Sequence, residues 1–155
     1  MGKEYRTLET EVRLPYRLAY GETWSKFFDG MKEEKILGSK CPKCSRVLVP
    51  ARTFCPQCFV DTSEWLECSQ EGTLVAWSLT SYRYFAQPIE PPYISGLIHL
   101  DGTDVNFLHF LGGFDFDLND MEKANKRVKT GMRVKAVWQE EKLGNILDIE
   151  YFTPA

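Results

Sequence analysis

Cys41-Pro42-Lys43-Cys44 and Cys55-Pro56-Gln57-Cys58 carry the clearest chemistry in the chain: two Cys-x-x-Cys pairs with ten residues between Cys44 and Cys55. One such pair also fits a redox dithiol. Two pairs at this separation fit a tetrahedral four-thiolate site, most often zinc. Each knuckle turn brings two thiolates to one side of the ion, and a hairpin between them returns the second pair. Cys41, Cys44, Cys55 and Cys58 are therefore assigned to a structural metal rather than to catalysis. The remaining thiol, Cys68, lies between Glu67 and Ser69 with no cation beside it, so nothing in sequence lowers its pKa. It reads as an ordinary strand residue.

Lys40, Lys43, Arg46 and Arg52 flank the knuckles. Four thiolates around one dication leave a net negative site, and neutralising it is the plainer role for these cations. An anion site for phosphates is the alternative. Elsewhere the catalytic inventory is thin. There is no Gly-x-Ser-x-Gly elbow, no P-loop and no Gly-x-Gly-x-x-Gly. His99 and His109 are the two imidazoles, on adjacent strands of a predicted hairpin. Alternation groups His99 with Ser95 and Leu97, and His109 with Phe107 and Leu111. With Asp104 they would have to supply the general base of a stand-alone acyl-CoA carrier or small thioesterase. Tyr82-Arg83-Tyr84-Phe85, followed by Pro88, Pro91, Pro92 and Tyr93, forms a stiff connection in which an Arg sits among aromatics. Such a loop suits a phosphate beside a stacked nucleobase, or simply covers a barrel end.

The elements that position these residues follow from periodicity. Residues 1–20 are polar and mixed and read as an extended arm. Trp24, Phe27, Phe28 and Met31 recur at helical spacing, predicting a helix over 22–35 with Thr23 as N-cap. Gly30 inside it costs about 1 kcal/mol relative to Ala, so this helix needs tertiary packing. The aromatic stripe serves either the core or a partner. A short strand at Ile36-Leu37 enters the first knuckle, and Val47-Leu48-Val49 forms the hairpin strand. Strands are predicted over Gly72–Tyr84, Tyr93–Leu100, Asp104–Leu111, Met132–Gln139 and Ile146–Phe152, with a short helix over 117–127 capped by Asp117. Five strands with a helix between the third and fourth give an OB-type barrel. The expected organisation is an arm and helix over 1–38, a zinc ribbon over 39–61, and an OB-fold domain over 62–155.

The 155 residues are 43% hydrophobic and 14% aromatic, enough for a sizeable core, and carry a net charge of −3. The pI near 5.5 argues against a general nucleic-acid binder. A single-stranded nucleic-acid-binding module is nonetheless the alternative reading, because ribbons and OB folds both serve it. No apolar run reaches the roughly 18–20 residues that span a bilayer. The charged first residues are no signal peptide, and Arg6 stands where a myristoylation motif wants Ser or Thr. Thiolate ligands without an export signal fit a reducing cytoplasm, which also disfavours disulfides.

Taken together, Leu14-Pro15-Tyr16 through Phe27-Phe28, the two knuckles, Pro50 before Arg52, Trp65, Gly72-Thr73, Pro92, and Gly131 before Val134 make a pattern. It resembles the small zinc-ribbon/OB-fold acyl-CoA-associated proteins that accompany thiolases. One departure is Ser45 and Phe59, which follow the knuckles where Gly is frequent. The resemblance implies a mainly β fold with an N-terminal helix, a rubredoxin-like zinc ribbon and a five-stranded OB-type barrel. It also implies a subunit of a thiolase (acyl-CoA C-acyltransferase) complex with no activity alone. This subunit binds a larger catalytic subunit as a hetero-oligomer and helps shape its CoA-thioester site. The chain looks most like small subunits from anaerobic aromatic degradation, of the benzoylsuccinyl-CoA thiolase kind. With a CoA thioester as the bound substrate, Arg46, Arg52 and Arg83 are the candidates for its phosphates, and zinc is the structural cofactor.

Overall fold

The computed structural model describes residues 6–8, 10, 12, 14–85, 87, 89–115 and 117–155; Pro88 and part of the arm lie outside them. The first element is α1, Gly21–Lys32. Phe27 and Met31 are buried on its inner face, while Trp24 stays half exposed. The helix ends earlier than its periodicity suggests. Glu34 takes a left-handed φ of 57°, and the Lys35 N–H reaches back to the Gly30 carbonyl at 2.9 Å, turning the chain into the next strand. Its N-cap is Tyr20, with no side-chain cap, rather than Thr23. The helix has already begun at Gly21, and the Thr23 hydroxyl lies 3.4 Å from that of Thr53 instead. Gly30 has a packing reason: a Cβ there would meet the Leu37 side chain at 2.8 Å.

Three strands form the first sheet: β1 (Ile36–Lys40), β2 (Val47–Leu48) and β3 (Glu64–Cys68), in the order β2-β1-β3. β1 runs antiparallel to both neighbours, with Ser39 opposite Leu48 on one side and Trp65 on the other. The sheet thus draws one strand from before the first knuckle, one from between the knuckles and one from after the second.

The remaining strands close a barrel in the order β4-β5-β6-β8-β7: β4 (Glu71–Thr80), β5 (Tyr93–Leu100), β6 (Asn106–Leu111), β7 (Arg133–Trp138) and β8 (Ile149–Pro154). The helix α2 (Met121–Arg127) is inserted between β6 and β7. This is the expected five-stranded OB-type order. Alternation decides the faces: Ile94, Ile98 and Leu100 of β5 and Phe107, His109 and Leu111 of β6 point inward and are buried. Two expected details differ. Asp117 folds its carboxylate onto the Asn119 N–H at 2.9 Å, so the cap of α2 falls to Asp120, which accepts from the Lys123 N–H at 3.0 Å. Ile146–Asp148 is a 3-10 turn, closed by a reciprocal cap between Asn145 and Asp148, so the last strand begins only at Ile149.

One core joins the helix, the first sheet and the barrel. It runs from Phe27, Met31 and Ile36 through Val47, Val49 and Cys68 to Leu74, Ile98, Phe107 and Phe152. The junction also has polar stitches. Asp104, in the β5–β6 turn, accepts from the Val47 N–H at 2.8 Å, and its own N–H donates to the Val47 carbonyl at 3.0 Å. That use of Asp104 delays the start of β6 to Asn106.

Candidate metal centre

The site is built by two tight turns. At the first knuckle the Ser45 N–H donates to the Cys41 carbonyl at 2.9 Å, and the Cys44 N–H lies 3.4 Å from Cys41 Sγ. At the second, the Phe59 N–H donates to the Cys55 carbonyl at 2.9 Å. Both turns need left-handed backbone after the knuckle, and Ser45 (φ 60°) and Phe59 (φ 53°) provide it without being Gly. A side chain in that region is strained by about 1 kcal/mol or more. β1 leads into the first knuckle and β2 leaves it, with the Cys41 N–H bonded to the Arg46 carbonyl. The Ser39 hydroxyl then pins the return of the hairpin, donating to the Arg52 carbonyl and accepting from the Arg52 N–H, both at 2.9 Å.

These turns bring Cys41, Cys44, Cys55 and Cys58 together, their Sγ atoms all within 4.8 Å of one another. Cys44 and Cys55 Sγ are 3.8 Å apart. A tetrahedron with metal–sulfur bonds of ~2.3 Å has edges of about 3.8 Å, so the spacing fits a four-thiolate ion. Cys41 and Cys55 are buried, packed with Leu48 in a small core of their own. The Cys41 and Cys58 thiols are shifted in opposite directions. Burial opposes ionisation of Cys41, but the N–H groups of Cys44 and Lys43 and the adjacent thiols outweigh it and bring it down to about 6. The Cys44 thiol and burial push Cys58 up to about 12. Cys41 is thus the more readily ionised of the two, and a bound cation would take both as thiolates.

The other candidates are distributed. Lys40 pairs with Glu64 at 3.6 Å. Arg46 and Arg52 are exposed on the ribbon, and among the described residues their guanidinium groups have no ion-pair partner. Arg83 lies on the β4–β5 connection, exposed and paired with Glu90 at 2.9 Å. The two histidines do not meet. His99 is exposed and hydrogen-bonds Asn106 at 3.1 Å, while His109 is buried with Nε2 2.9 Å from the Ile146 carbonyl. They occupy opposite faces of the same sheet, and the Asp104 carboxylate is engaged by the Val47 N–H, so this trio does not assemble a general base. Burial pushes the Cys68 thiol up to about 11.

Sequence reasoning marked the β4–β5 connection but not its wall. Behind it lies a groove of about 390 Å³, lined in part by Ile89, Pro92, Tyr93, Phe110 and Tyr151. Tyr93 anchors it: its hydroxyl lies 3.1 Å from that of Tyr84, and the Gln87 amide donates to it at 3.4 Å. The bond they share lowers the Tyr93 phenol and raises that of Tyr84. Clustered aromatics and prolines were the available signal. The contributions of Phe110 and Tyr151 come from strands distant in sequence.

Two family models match the chain. Residues 28–64 match the ChsH2 rubredoxin-like zinc ribbon domain, and residues 65–139 match the ChsH2 C-terminal OB-fold domain. The fold is similar to a protein of unknown function from the DUF35 family of Sulfolobus solfataricus, at TM-score 0.62 and 24% identity over 87% of each chain. It is also similar to a chain of a structure described as an Ltp2-ChsH2(DUF35) aldolase, at TM-score 0.65 and 21% identity over 89% of this chain and 98% of that one. No curated protein matches the sequence. Among the described residues, no helix is long and apolar enough to cross a membrane.

Proposed function

The chain belongs to the ChsH2 family of zinc-ribbon/OB-fold proteins, and from that membership we propose that it is a non-catalytic accessory subunit of a thiolase-type acyl-CoA enzyme. The observation that carries this reading is the aldolase named for Ltp2 together with ChsH2(DUF35), one chain of which has this fold over nearly its whole length. The chemistry is consistent with the same division of labour. Thiolase reactions need a nucleophilic Cys activated by a His, plus an oxyanion hole. Here Cys68 is a buried thiol held protonated, and His109 is enclosed by Phe107, Phe110 and Phe152. The larger subunit supplies the nucleophile, and this chain supplies surface.

In this reading Arg46, Arg52 and Arg83 contact the phosphates of the CoA thioester. Arg46 and Arg52 are free to do so. Arg83 would exchange Glu90 for a phosphate, a favourable swap for a guanidinium. The ribbon holds one zinc as a structural ion. Degradation of aromatic acyl-CoA compounds is the setting that the resemblance suggests.

Native mass spectrometry of the protein taken from its own cells is the test. The expected species is a complex with a larger subunit and one zinc per small chain. A zinc-loaded monomer without a partner would overturn the accessory role. Replacing Arg46, Arg52 and Arg83 together by Ala should raise the Michaelis constant for acyl-CoA in the complex, and an unchanged constant would remove them from the site.

A further inference from the structure

The barrel closes unevenly. β5 and β6 pair along their length, from Ile94 opposite Leu111 to His99 opposite Asn106. β6 and β8 run parallel and, among the described residues, are in register only at Leu111 opposite Phe152. The cause lies in β8. Val137 pairs with Tyr151 but Trp138 with Ile149, so Glu150 is the extra residue of a β-bulge. A bulge bends its strand and ends pairing nearby. Before the bulge the chain is the 3-10 turn Ile146–Asp148, which meets β6 through the bond between the Ile146 carbonyl and His109 Nε2. The Gly112 N–H donates to the Phe152 carbonyl at 3.0 Å, and this fixes which backbone groups of β6 face the seam. By alternation they are those of Phe110 and Leu108. No residue of β8 is in register with Leu108, so its N–H and C=O form an open edge one residue long. Two hollows lie along the seam and share Phe110 and Leu147 as walls. One is the groove behind Tyr93. The other, of about 210 Å³, is lined by Ser95, Leu108, His109, Phe110, Ile146 and Leu147.

We infer that this seam holds the pantetheine arm of the CoA thioester, with the N–H and C=O of its β-alanyl unit paired to the C=O and N–H of Leu108. The inference deepens the accessory reading and rests on it. The walls select this part of the ligand. They are mostly apolar, and Glu150 is the one acidic side chain among them, which suits an uncharged chain and repels phosphates. The open edge selects it too. Phe152 bounds it on one side and the 3-10 turn on the other, which leaves no room for a protein strand. It still offers one donor and one acceptor in strand geometry, the complement of a single unit flanked by amides. The phosphate end agrees. Arg83, a phosphate candidate in the accessory reading, is paired with Glu90, and Glu90 adjoins Ile89 in the wall of the groove. The arm that follows the phosphates would enter the groove there and run on past Phe110 to Leu108.

Two measurements on the complex with the larger subunit that copurifies with this chain test the inference. Leu147→Trp puts a ring into both hollows and leaves Leu108 and the three arginines in place. It should weaken CoA binding by about tenfold in calorimetric titration, with zinc content, melting temperature and subunit stoichiometry as controls. Amide exchange in the wild-type complex is the second measurement. Pantetheine, which has no phosphate, should slow exchange of the Leu108 N–H, and adenosine 3′,5′-bisphosphate, which has no arm, should leave it fast. If CoA binds the complex but Leu108 exchange is unchanged, or if a folded Leu147→Trp complex binds CoA as tightly as wild type, the seam is not the pantetheine site and the accessory role stands. If no larger protein copurifies, the accessory reading fails, and pantetheine is titrated against the full-length chain alone. Slowed exchange at Leu108 would then uphold the seam as a pantetheine site, and unchanged exchange would overturn it as well.

Discussion

Ser45 and Phe59 show how much a metal site can demand of single residues. Both occupy left-handed backbone that Gly adopts without strain, and Phe59 is also 82% exposed. Ser45→Gly should stabilise the zinc-loaded chain by about 0.5–1 kcal/mol in urea unfolding, the relief of strain exceeding the entropy glycine adds to the unfolded chain. Cys41→Ser or Cys55→Ser should abolish stoichiometric zinc and lower the melting temperature sharply, because the ion supplies folding energy outright. A variant that keeps both would show the thiolates are not its ligands. His109 carries the pH dependence of the core. Burial holds its pKa below the ordinary value of 6.5, so below that pH the unfolded chain takes up a proton that the folded ring refuses. Its contribution to stability is complete above pH 6.5 and is lost as the pH falls toward the lower folded value. His109→Phe should flatten this acid limb. The gap between the wild-type and variant unfolding curves would change by at most about 1.4 kcal/mol per pH unit.

Close approach governs the elements. Gly72 is the second residue of β4, where a Cβ would meet the His99 carbonyl oxygen and the Leu100 Cα of β5, backbone atoms that cannot swing aside. Gly72→Ala should therefore cost about 2 kcal/mol or more in denaturant unfolding by forcing the strands apart, as overpacking does elsewhere. The β5–β6 turn is the other sensitive element, since Asp104 ties it to β2. Asp104→Ala leaves the Val47 N–H without its acceptor, at a cost of about 1–3 kcal/mol. Hydrogen exchange should place the loosening at β2 and the knuckles rather than in the barrel. Exchange raised equally in β7 and β8 would mean the turn supports the barrel instead.

At the scale of the molecule, ribbon and barrel do not behave as beads on a string. Val105 packs against both the cysteine core and the main core, and residues of α1, β1 and β2 share that main core with the barrel. Chelating the zinc should consequently lower the melting temperature of the whole chain in a single calorimetric transition. Two well-separated transitions, with the barrel unmoved, would contradict this coupling. Leu8, Leu14 and Tyr16 of the arm, and the half-exposed Trp24, bury little of their surface in this fold.

Local chemistry determined much of this in advance. Two cysteine pairs at fixed spacing define a four-thiolate cluster whatever surrounds them. The order of five strands and one helix follows from alternation and turn residues, which are local in sequence. The assignment of His109 to the inner face of β6 is legible for the same reason: it shares parity with Phe107 and Leu111. What remained for the tertiary structure depends on contacts between distant residues. Asp104 bonds across 57 positions to Val47, β3 pairs with β1 and not with the barrel, and the groove behind Tyr93 takes its walls from β6 and β8. Long-range pairing has no fixed spacing to read, because it is set by how the twisted sheets close and which faces they bury together.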